Sequence, residues 1–268
     1  MDRQSPSLST DGTKLVYVAH NLDAYSLRVR EAATSSERVL LQQPGDLRAR
    51  ISPDGGSVAY NPTASSEKEN AVYLVSTSGG ESRKLCDTCG MIYDWTPDGK
   101  DIIFRSGIPM KFSLLTVATG QQRVVLADPD SDIHGLMYSR DQHWMALHFA
   151  PNPGSRRAIY ISPVRDGHAA SKTEWISIME RPGRQTRPWW SPDGNVLYLL
   201  STSGGKQEIW AQRLQPQTKR PIGDPFRVYS PPGERYSIST GTWFGPGIGP
   251  RNLIFPIQEQ MSNIWIAE

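Results

Sequence analysis

The stretch Ile51-Ser52-Pro53-Asp54-Gly55 recurs four more times along the chain in closely related form. Each copy has an apolar residue three positions before an aspartate, and each is followed by a dense apolar triplet. One structural unit is therefore repeated along the chain. The other copies are Leu8-Ser9-Thr10-Asp11-Gly12, Trp95-Thr96-Pro97-Asp98-Gly99, Tyr138-Ser139-Arg140-Asp141-Gln142 and Trp190-Ser191-Pro192-Asp193-Gly194.

The spacing of the aspartates identifies the kind of unit. Successive aspartates are 43, 44, 43 and 52 residues apart, and roughly 40 to 50 residues is the length of a four-stranded propeller blade. A helical repeat of this length would show an apolar period of 3.6 residues, whereas the period here is two. Triplets such as Val58-Ala59-Tyr60 are apolar on both faces, as expected of a strand buried between neighbouring blades.

The repeated aspartates are predicted to be structural. Proline presets φ for the turn, aspartate caps the turn through its side chain, and glycine accepts a positive φ. This prediction covers Asp11, Asp54, Asp98, Asp141 and Asp193. Replacing Asp54 with alanine is then expected to cost roughly 1 kcal/mol of stability rather than a catalytic activity. Gln142 stands where the other turns have glycine, so its hairpin must either change conformation or carry some strain.

The repeat resembles a known family. A (Trp/Ile)-(Ser/Thr)-Pro-Asp-Gly turn, an apolar triplet and an Ile-Tyr or Ile-Trp strand are similar to the WD-like propeller repeat of the TolB family over almost the whole chain. The segments 86–99 and 262–268 are also similar to propellers fused to bacterial serine/threonine kinases or winged-helix regulators. The resemblance implies a sensory or protein-interaction role, and it favours an extracytoplasmic, periplasmic location.

Composition narrows the function classes. The chain has 268 residues, of which 37% are hydrophobic, which suits a soluble all-β protein. Its 29 basic and 27 acidic residues give a net charge of +2, which does not indicate a nucleic-acid-binding surface. No apolar run reaches 18 residues, so no membrane span is expected in this chain. Residues 1–20 do not have the pattern of a secretory signal peptide.

These patterns predict a single all-β domain over residues 1–268, a six-bladed β-propeller of four-stranded antiparallel blades. The fifth blade is expected to carry an insertion at Gln215–Pro225 before its outer strand, and the sixth is degenerate and lacks its outer strand within this chain. Because closed propellers usually avoid an open sheet edge, we expect an upstream extension, a partner that supplies the strand, or an open ring. The predicted blades are 4–41, 47–85, 91–126, 133–178, 187–229 and 237–268.

Few residues point to metal or redox chemistry. Cys86 and Cys89 are the only cysteines, and they read as structural thiols or a local disulfide, with a redox role or half of a zinc site as alternatives. No cofactor or metal is predicted, and neither a Gly-x-Ser-x-Gly nucleophile elbow nor a phosphate loop occurs. The five histidines are scattered: His20, His134, His143, His148 and His168.

A binding site is expected at the mouth of the channel, on the loops that join the last strand of one blade to the first of the next, and the second strand to the third. The basic stretch Arg181–Arg187 is predicted to be a solvated loop, with an anion-binding loop as the alternative. The polar candidates in or beside the innermost strands are Arg48, Arg50, Asp94, His134, Arg187 and Tyr236.

Two functions are compatible with this sequence. The first is a non-catalytic module that binds a protein, peptide or small ligand, as the sensory or interaction part of a bacterial signalling or envelope protein. The second is a polysaccharide lyase or hydrolase that acts at the channel mouth. The sequence favours the first because no His/Glu/Asp set is spaced for catalysis. Loss of metal binding or glycan turnover on replacing His134 with alanine would favour the second.

Overall fold

Each of the five aspartate turns joins the two innermost strands of an antiparallel sheet in the computed structural model. The structure describes residues 2–21, 24–62, 70–150, 158–179, 184–203, 206–233, 235–238, 247–250 and 252–259. Strands that follow one another in sequence pair with one another, so each blade is a meander that runs from an inner to an outer strand. This order follows from the short turns, because a tight hairpin can connect only antiparallel neighbours.

The first two blades follow the predicted order. The first blade contains β1 (Asp2–Leu8), β2 (Lys14–His20), β3 (Tyr25–Glu31) and β4 (Glu37–Gln43). The second contains β5 (Leu47–Ile51), β6 (Ser57–Pro62), β7 (Val72–Ser76) and β8 (Arg83–Cys86). Most of the predicted loop between β6 and β7, at 63–69, lies outside the described residues.

The next two blades repeat this plan with one addition. The third blade contains β9 (Met91–Trp95), β10 (Asp101–Ser106), β11 (Lys111–Thr116) and β12 (Gln122–Ala127). The fourth contains β13 (Asp132–Tyr138), β14 (Trp144–Ala150), β15 (Ala158–Arg165), β16 (His168–Ala169) and β17 (Ile176–Met179). In this blade β17 is the outer strand, because it pairs with the first half of β15, while β16 pairs with the end of β15. One 3-10 turn, Lys172–Glu174, connects them.

The fifth blade corrects one expectation. It contains β18 (Arg184–Trp190), β19 (Val196–Ser203), β20 (Lys206–Leu214) and β21 (Pro221–Tyr229). The predicted insertion at Gln215–Pro225 is instead a short turn followed by strand. The Gln215 amide bonds the Arg220 carbonyl at 2.9 Å, and β21 then begins at Pro221, with register shifts along its pairing with β20. Proline is tolerated there because β21 is an edge strand.

The prediction of six blades is wrong, because the described residues form five. After β21, the described residues form two small pairs instead of a sixth four-stranded blade, and no aspartate-capped turn is present there to start one. Residues 239–246 and 260–268 of the predicted sixth blade, which include Trp243, lie outside the described residues. The pairs are β22 (Tyr236–Ile238) with β25 (Ile257–Glu259), and β23 (Gly247–Ile248) with β24 (Leu253–Ile254).

The turns share one hydrogen-bonding pattern, as the second blade illustrates. The Ser52 hydroxyl donates to the Asp54 carboxylate at 2.5 Å, and the Gly56 amide donates to the same carboxylate at 2.9 Å. The Ser52 oxygen in turn accepts from the Ser57 amide at 3.0 Å. Every aspartate of the repeat accepts such a hydroxyl bond, at 2.5–2.7 Å. The turn interpretation of the motif is therefore supported by geometry, and the serine or threonine two positions earlier is part of the cap.

The turn of the fourth blade adopts the same conformation without glycine. Gln142 has φ +59°, close to the values of +69° to +73° at the four glycines in this position. A side chain in this left-handed region costs about 1 kcal/mol. Strain, rather than a different conformation, is therefore the outcome of the glutamine substitution.

Replacing Gln142 with glycine is expected to make the protein about 1 kcal/mol more stable than replacing it with alanine. The alanine variant is the matched control, since both substitutions remove the glutamine side chain and only glycine relieves the backbone. Urea denaturation of the two variants measures the difference. Equal stability would show that this position carries no strain.

The hydrogen bonds to the turn aspartates are expected to make the stability of the fold sensitive to acid. Hydrogen bonds hold the pKa of Asp11, Asp54 and Asp193 below the usual value of 3.8, with the serine hydroxyl as the main cause. In Asp98 and Asp141, burial opposes the lowering, and the hydroxyl and amide donors together outweigh it. Because the folded-state pKa is depressed, this stabilisation is complete above about pH 4 and is lost as the pH falls through the folded values.

We therefore expect the free energy of unfolding to fall steeply below about pH 4 in denaturant titrations. Replacing Ser52 with alanine removes the main cause at one turn, so this variant is expected to lose less stability on acidification than the wild type does. The outcome against this prediction is an identical pH profile for the two proteins.

The core is divided among the interfaces between neighbouring blades. One apolar cluster lies between the first and second blades and includes Leu27 and Val58. Another lies between the third and fourth blades and includes Phe112 and Leu136. Similar clusters lie between the second and third blades and between the fourth and fifth blades, and a further cluster joins the fifth blade to Ile238 of β22. Both faces of the inner sheets are therefore buried, which explains why the triplets are apolar throughout.

Hydrogen bonds also tie each blade to the next. The Trp95 indole N–H donates to the Arg50 carbonyl of the preceding blade at 3.0 Å. The Trp190 indole makes the equivalent bond to the Met137 carbonyl at 3.1 Å. On the outer side, Arg83 of β8 donates to the Val117 carbonyl at 3.3 Å. The tryptophan of the repeat is thus both a core residue and an inter-blade donor.

The structure also bears on the cysteine pair and on membrane-spanning segments. Cys86 and Cys89 form a disulfide that closes the loop between β8 and β9, which is the local disulfide considered from the sequence. The Gln122 side chain lies 3.2 Å from the Cys89 sulfur. Within the described ranges, no helix has the length and hydrophobicity that a membrane crossing requires.

Candidate functional site

The inner strands surround a cavity at the end where they enter the aspartate turns. It has a volume of about 190 Å³, and residues from the five inner strands or their turns, together with β23, contribute to its wall. Aromatic and proline side chains form much of the wall. At three of the five turns the repeat has an aromatic residue three positions before the aspartate, and at three it has a proline one position before it. The aromatic and proline side chains of the wall include Trp95, Tyr138, Trp189, Trp190, Pro53, Pro97 and Pro192.

Arg50 and Asp94 supply the charges inside this cavity. They occupy the same position, four residues before the aspartate, in the second and third blades. Arg50 is 4% exposed and is held by two backbone carbonyls, Ala49 at 3.0 Å and Tyr93 at 3.2 Å. The Asp94 carboxylate accepts the Trp95 amide at 2.8 Å. The side chains are therefore fixed by backbone contacts on either side of one inter-blade interface.

Burial changes the titration of both groups. It lowers the pKa of Arg50 to about 10, and the Asp94 carboxylate partly offsets this. Burial raises the pKa of Asp94, while Arg50 and the Trp95 amide oppose the rise. A guanidinium with a pKa of about 10 remains protonated at neutral pH, so the cavity contains a desolvated positive charge.

A second layer of side chains lies farther along the channel. The Arg187 guanidinium lies 4.1 Å from the centre of the Tyr93 ring, and the Tyr93 hydroxyl donates to the His134 carbonyl at 2.9 Å. Burial lowers the pKa of Arg187 to about 10 and raises the pKa of Tyr93 to about 12. Gly135 makes room for this layer, since a Cβ there would lie 2.7 Å from the Tyr93 oxygen.

The histidines of the channel lie beside this layer. His134 Nε2 is 2.5 Å from the Asp132 carboxylate, and the rings of His134 and His148 are 5.8 Å apart. His148 is buried at 5% exposure. No group of three or more His, Cys, Asp or Glu side chains suited to a metal ion occurs in the described part of the chain.

The fold agrees with solved structures. No protein-family model matches the chain. The structure of a putative TolB from Agrobacterium tumefaciens superposes with a TM-score of 0.65 at 19% identity, over 85% of this chain and 80% of that one. The chain folds as a TolB-like β-propeller. An oligogalacturonate lyase in complex with manganese has the same fold, with a TM-score of 0.56 at 18% identity, over 80% of this chain and 65% of that one.

Sequence relatives match parts of much longer proteins. The chain is 28% identical over 209 residues to the uncharacterized peptidase YuxL of Bacillus subtilis strain 168, which covers 72% of this chain and 28% of that protein. It is 33% identical over 90 residues to the Tol-Pal system protein TolB of Anaeromyxobacter sp. strain K, which covers 29% of this chain and 21% of TolB. The chain thus spans less than a third of either curated relative.

The TolB-like propeller brings together some of the predicted site residues. Arg50 and Asp94 share the cavity, while Arg187 and His134 meet at Tyr93 in the next layer. The charge of Arg48 acts on Arg187 and belongs to that layer. Tyr236 is exposed on β22, where its hydroxyl is 3.5 Å from Glu259, and it is not among the described residues that line the cavity. Part of the basic stretch 181–187 lies outside the described residues.

The site on this TolB-like propeller also differs from the expectation in position. The cavity opens among the aspartate turns, which join the first and second strands, rather than at the loops named from the sequence. Most residues of the second-to-third strand loops at 63–69 and 151–157 lie outside the described ranges. Sequence reasoning missed the tryptophans as wall residues and Tyr93 as the platform for Arg187. The signal was available for Trp95 and Trp190, since both occupy one fixed position of the repeat.

Proposed function

We propose that this protein is a non-catalytic binding module that holds a segment of a protein partner at the turn-side mouth of its channel. The observation that carries this proposal is the size of the cavity. At about 190 Å³ it is smaller than the roughly 300–1,000 Å³ of typical small-molecule sites. A single side chain of a partner fits this space better than an oligosaccharide does.

The composition of the wall supports a protein partner. Tryptophan, tyrosine and arginine are the residue types that most often dominate the energy of protein interfaces, and the cavity combines Trp95, Trp189 and Arg50. The Trp95 indole and the Arg50 guanidinium are already held by backbone contacts, so binding would cost little side-chain entropy at these two residues. One relative is a Tol-Pal system protein, which is consistent with a role of this chain in a protein assembly.

We further propose an extracytoplasmic location. The support is the Cys86–Cys89 disulfide, because disulfides persist mainly in oxidising compartments such as the bacterial periplasm. Cell fractionation of the native host, followed by detection with an antibody, tests this location. Recovery of the protein only from the cytoplasm would contradict it.

A display library of random twelve-residue peptides tests the binding function. Enriched peptides are expected to bind the wild type with micromolar affinity and to bind Met137→Trp at least tenfold more weakly, because Met137 lines the cavity and the larger side chain fills it. Val124→Trp is the matched control, since Val124 is 40% exposed on outer strand β12. Equal binding to both variants, or no enrichment at all, would reject the proposal.

A second candidate function is that of a polysaccharide lyase or hydrolase. Its support is the shared fold with an oligogalacturonate lyase and the proximity of His134, Asp132 and His148 in the channel. Turnover of oligogalacturonate in the presence of manganese, with loss of turnover in His134→Ala, would establish this alternative and displace the binding proposal.

A further inference from the structure

Among the described residues that line the cavity, positively charged side chains outnumber negatively charged ones. Arg50 lies inside it and Arg140 lies in a turn at its rim, whereas Asp94 is the carboxylate that the same cavity contains. Arg187 adds a further buried guanidinium in the adjoining layer and acts electrostatically on Arg50. Low-dielectric walls focus such a field into the cavity. An entering group with a negative charge is therefore favoured over a neutral or cationic one.

The walls indicate how that group is presented. Met137, Trp189 and Pro192 offer carbon surface, whereas a buried peptide backbone needs partners for its N–H and C=O groups. A side chain with methylene groups and a terminal carboxylate satisfies both the apolar wall and the charged interior. The free end of a peptide would instead bring main-chain polar groups against the aromatic rings.

We propose that the cavity recognises an acidic side chain, glutamate in preference to aspartate, on an extended segment of a protein partner, with Arg50 binding the carboxylate. This assignment rests on the proposed binding function and specifies its ligand chemistry. Glutamate is favoured because Arg50 is 4% exposed, so the carboxylate must reach past the rim. Asp94 orients the entering carboxylate by repelling it from its own side of the interface.

Nuclear magnetic resonance of the indole N–H groups of Trp95, Trp189 and Trp190 tests the proposal. The probe is an acetylated, amidated tripeptide with a central glutamate, and the comparison probe has glutamine at that position. We expect the glutamate peptide to shift these resonances with at least fivefold higher affinity than the glutamine peptide. The difference is expected to shrink at high salt, as charge–charge interactions are screened.

Matched variants at Ser7 separate charge from shape. Ser7 occupies the position of Arg50 in the first blade and also lines the cavity. Ser7→Asp places a fixed carboxylate there and is expected to abolish the preference for glutamate, whereas Ser7→Asn, of similar size, is expected to retain it. Arg50→Gln is expected to abolish the preference too. Arg165→Gln, at an exposed side chain at the end of β15, is expected to leave it unchanged.

The outcomes distinguish this inference from the function on which it rests. Equal affinity for the two tripeptides, or a preference that survives in both Ser7→Asp and Arg50→Gln, overturns the carboxylate assignment. Enriched library peptides that bind at the channel without an acidic residue would leave the binding function standing and reject only this inference. A response to digalacturonate with none to the glutamate peptide would overturn the inference in favour of a sugar ligand.

Discussion

Replacing Trp95 with alanine is expected to lower the free energy of unfolding by about 3–5 kcal/mol. The indole is 6% exposed and packs in the cluster between the second and third blades. Its N–H also donates to the Arg50 carbonyl at 3.0 Å. The substitution therefore removes apolar burial, leaves a cavity at an inter-blade interface and deprives a buried carbonyl of its donor. Urea denaturation monitored by far-ultraviolet circular dichroism measures the loss.

Trp95→Phe separates the two contributions. Phenylalanine keeps much of the buried ring and removes the N–H donor, so a loss of about 1–2 kcal/mol is expected from the unsatisfied carbonyl and the smaller ring. Equal losses of stability in the alanine and phenylalanine variants would show that burial of the aromatic ring does not stabilise the interface between the second and third blades.

Replacing Gly90 with alanine is expected to cost about 3 kcal/mol or more. Gly90 has φ +104°, which side chains rarely adopt, and this alone costs about 1–3 kcal/mol. A Cβ at this position would also lie 2.4 Å from the backbone oxygen of Arg105. A backbone atom inside a sheet cannot move away easily, so the clash forces β9 and β10 apart.

Gly80→Ala is the matched control for this variant. Gly80 has φ +110°, and no atom lies within 4 Å of a Cβ built there. It therefore carries the conformational cost without the clash, and about 1–3 kcal/mol is expected from it, the same backbone cost as at Gly90. Thermal or urea unfolding of both variants gives the difference, and equal losses would show that the Arg105 contact is unimportant.

Much of the fold was predictable because the repeated sequence marks where the strands of each blade begin and end. The apolar residue before Asp54 and the triplet after it locate the ends of β5 and β6, and the spacing of the aspartates identifies the blade. The sixth blade was wrong for a related reason. Each complete blade carries one aspartate turn, and the sequence after β21 has none. Counting apolar strands there therefore predicted a blade that the described residues do not form.

The candidate site was less predictable. Polar residues of inner strands were a sound guide to Arg50 and Asp94, because the innermost strand must border the channel. The sequence analysis expected a site at other loops, and it did not show that the cavity lies at the aspartate turns, since that depends on how the turns of all five blades converge. Tyr93 was also missed, because an apolar alternation cannot distinguish a ring that supports Arg187 from an ordinary core residue.

The contacts between consecutive blades determine how far a local loss of stability extends. The indole of Trp95, the hydroxyl of Tyr93 and the guanidinium of Arg83 each reach only an adjacent blade, and each apolar cluster joins adjacent units of the chain. The contact of Arg187 with the Tyr93 ring is an exception, because it joins the fifth and third blades across the channel. Apart from that contact, the described blades behave as a one-dimensional lattice with nearest-neighbour coupling. A destabilising substitution at one inter-blade interface therefore affects the two blades that form it strongly and the distant blades weakly. In hydrogen exchange, the amide protons of distant blades are expected to stay protected while those at the altered interface exchange faster.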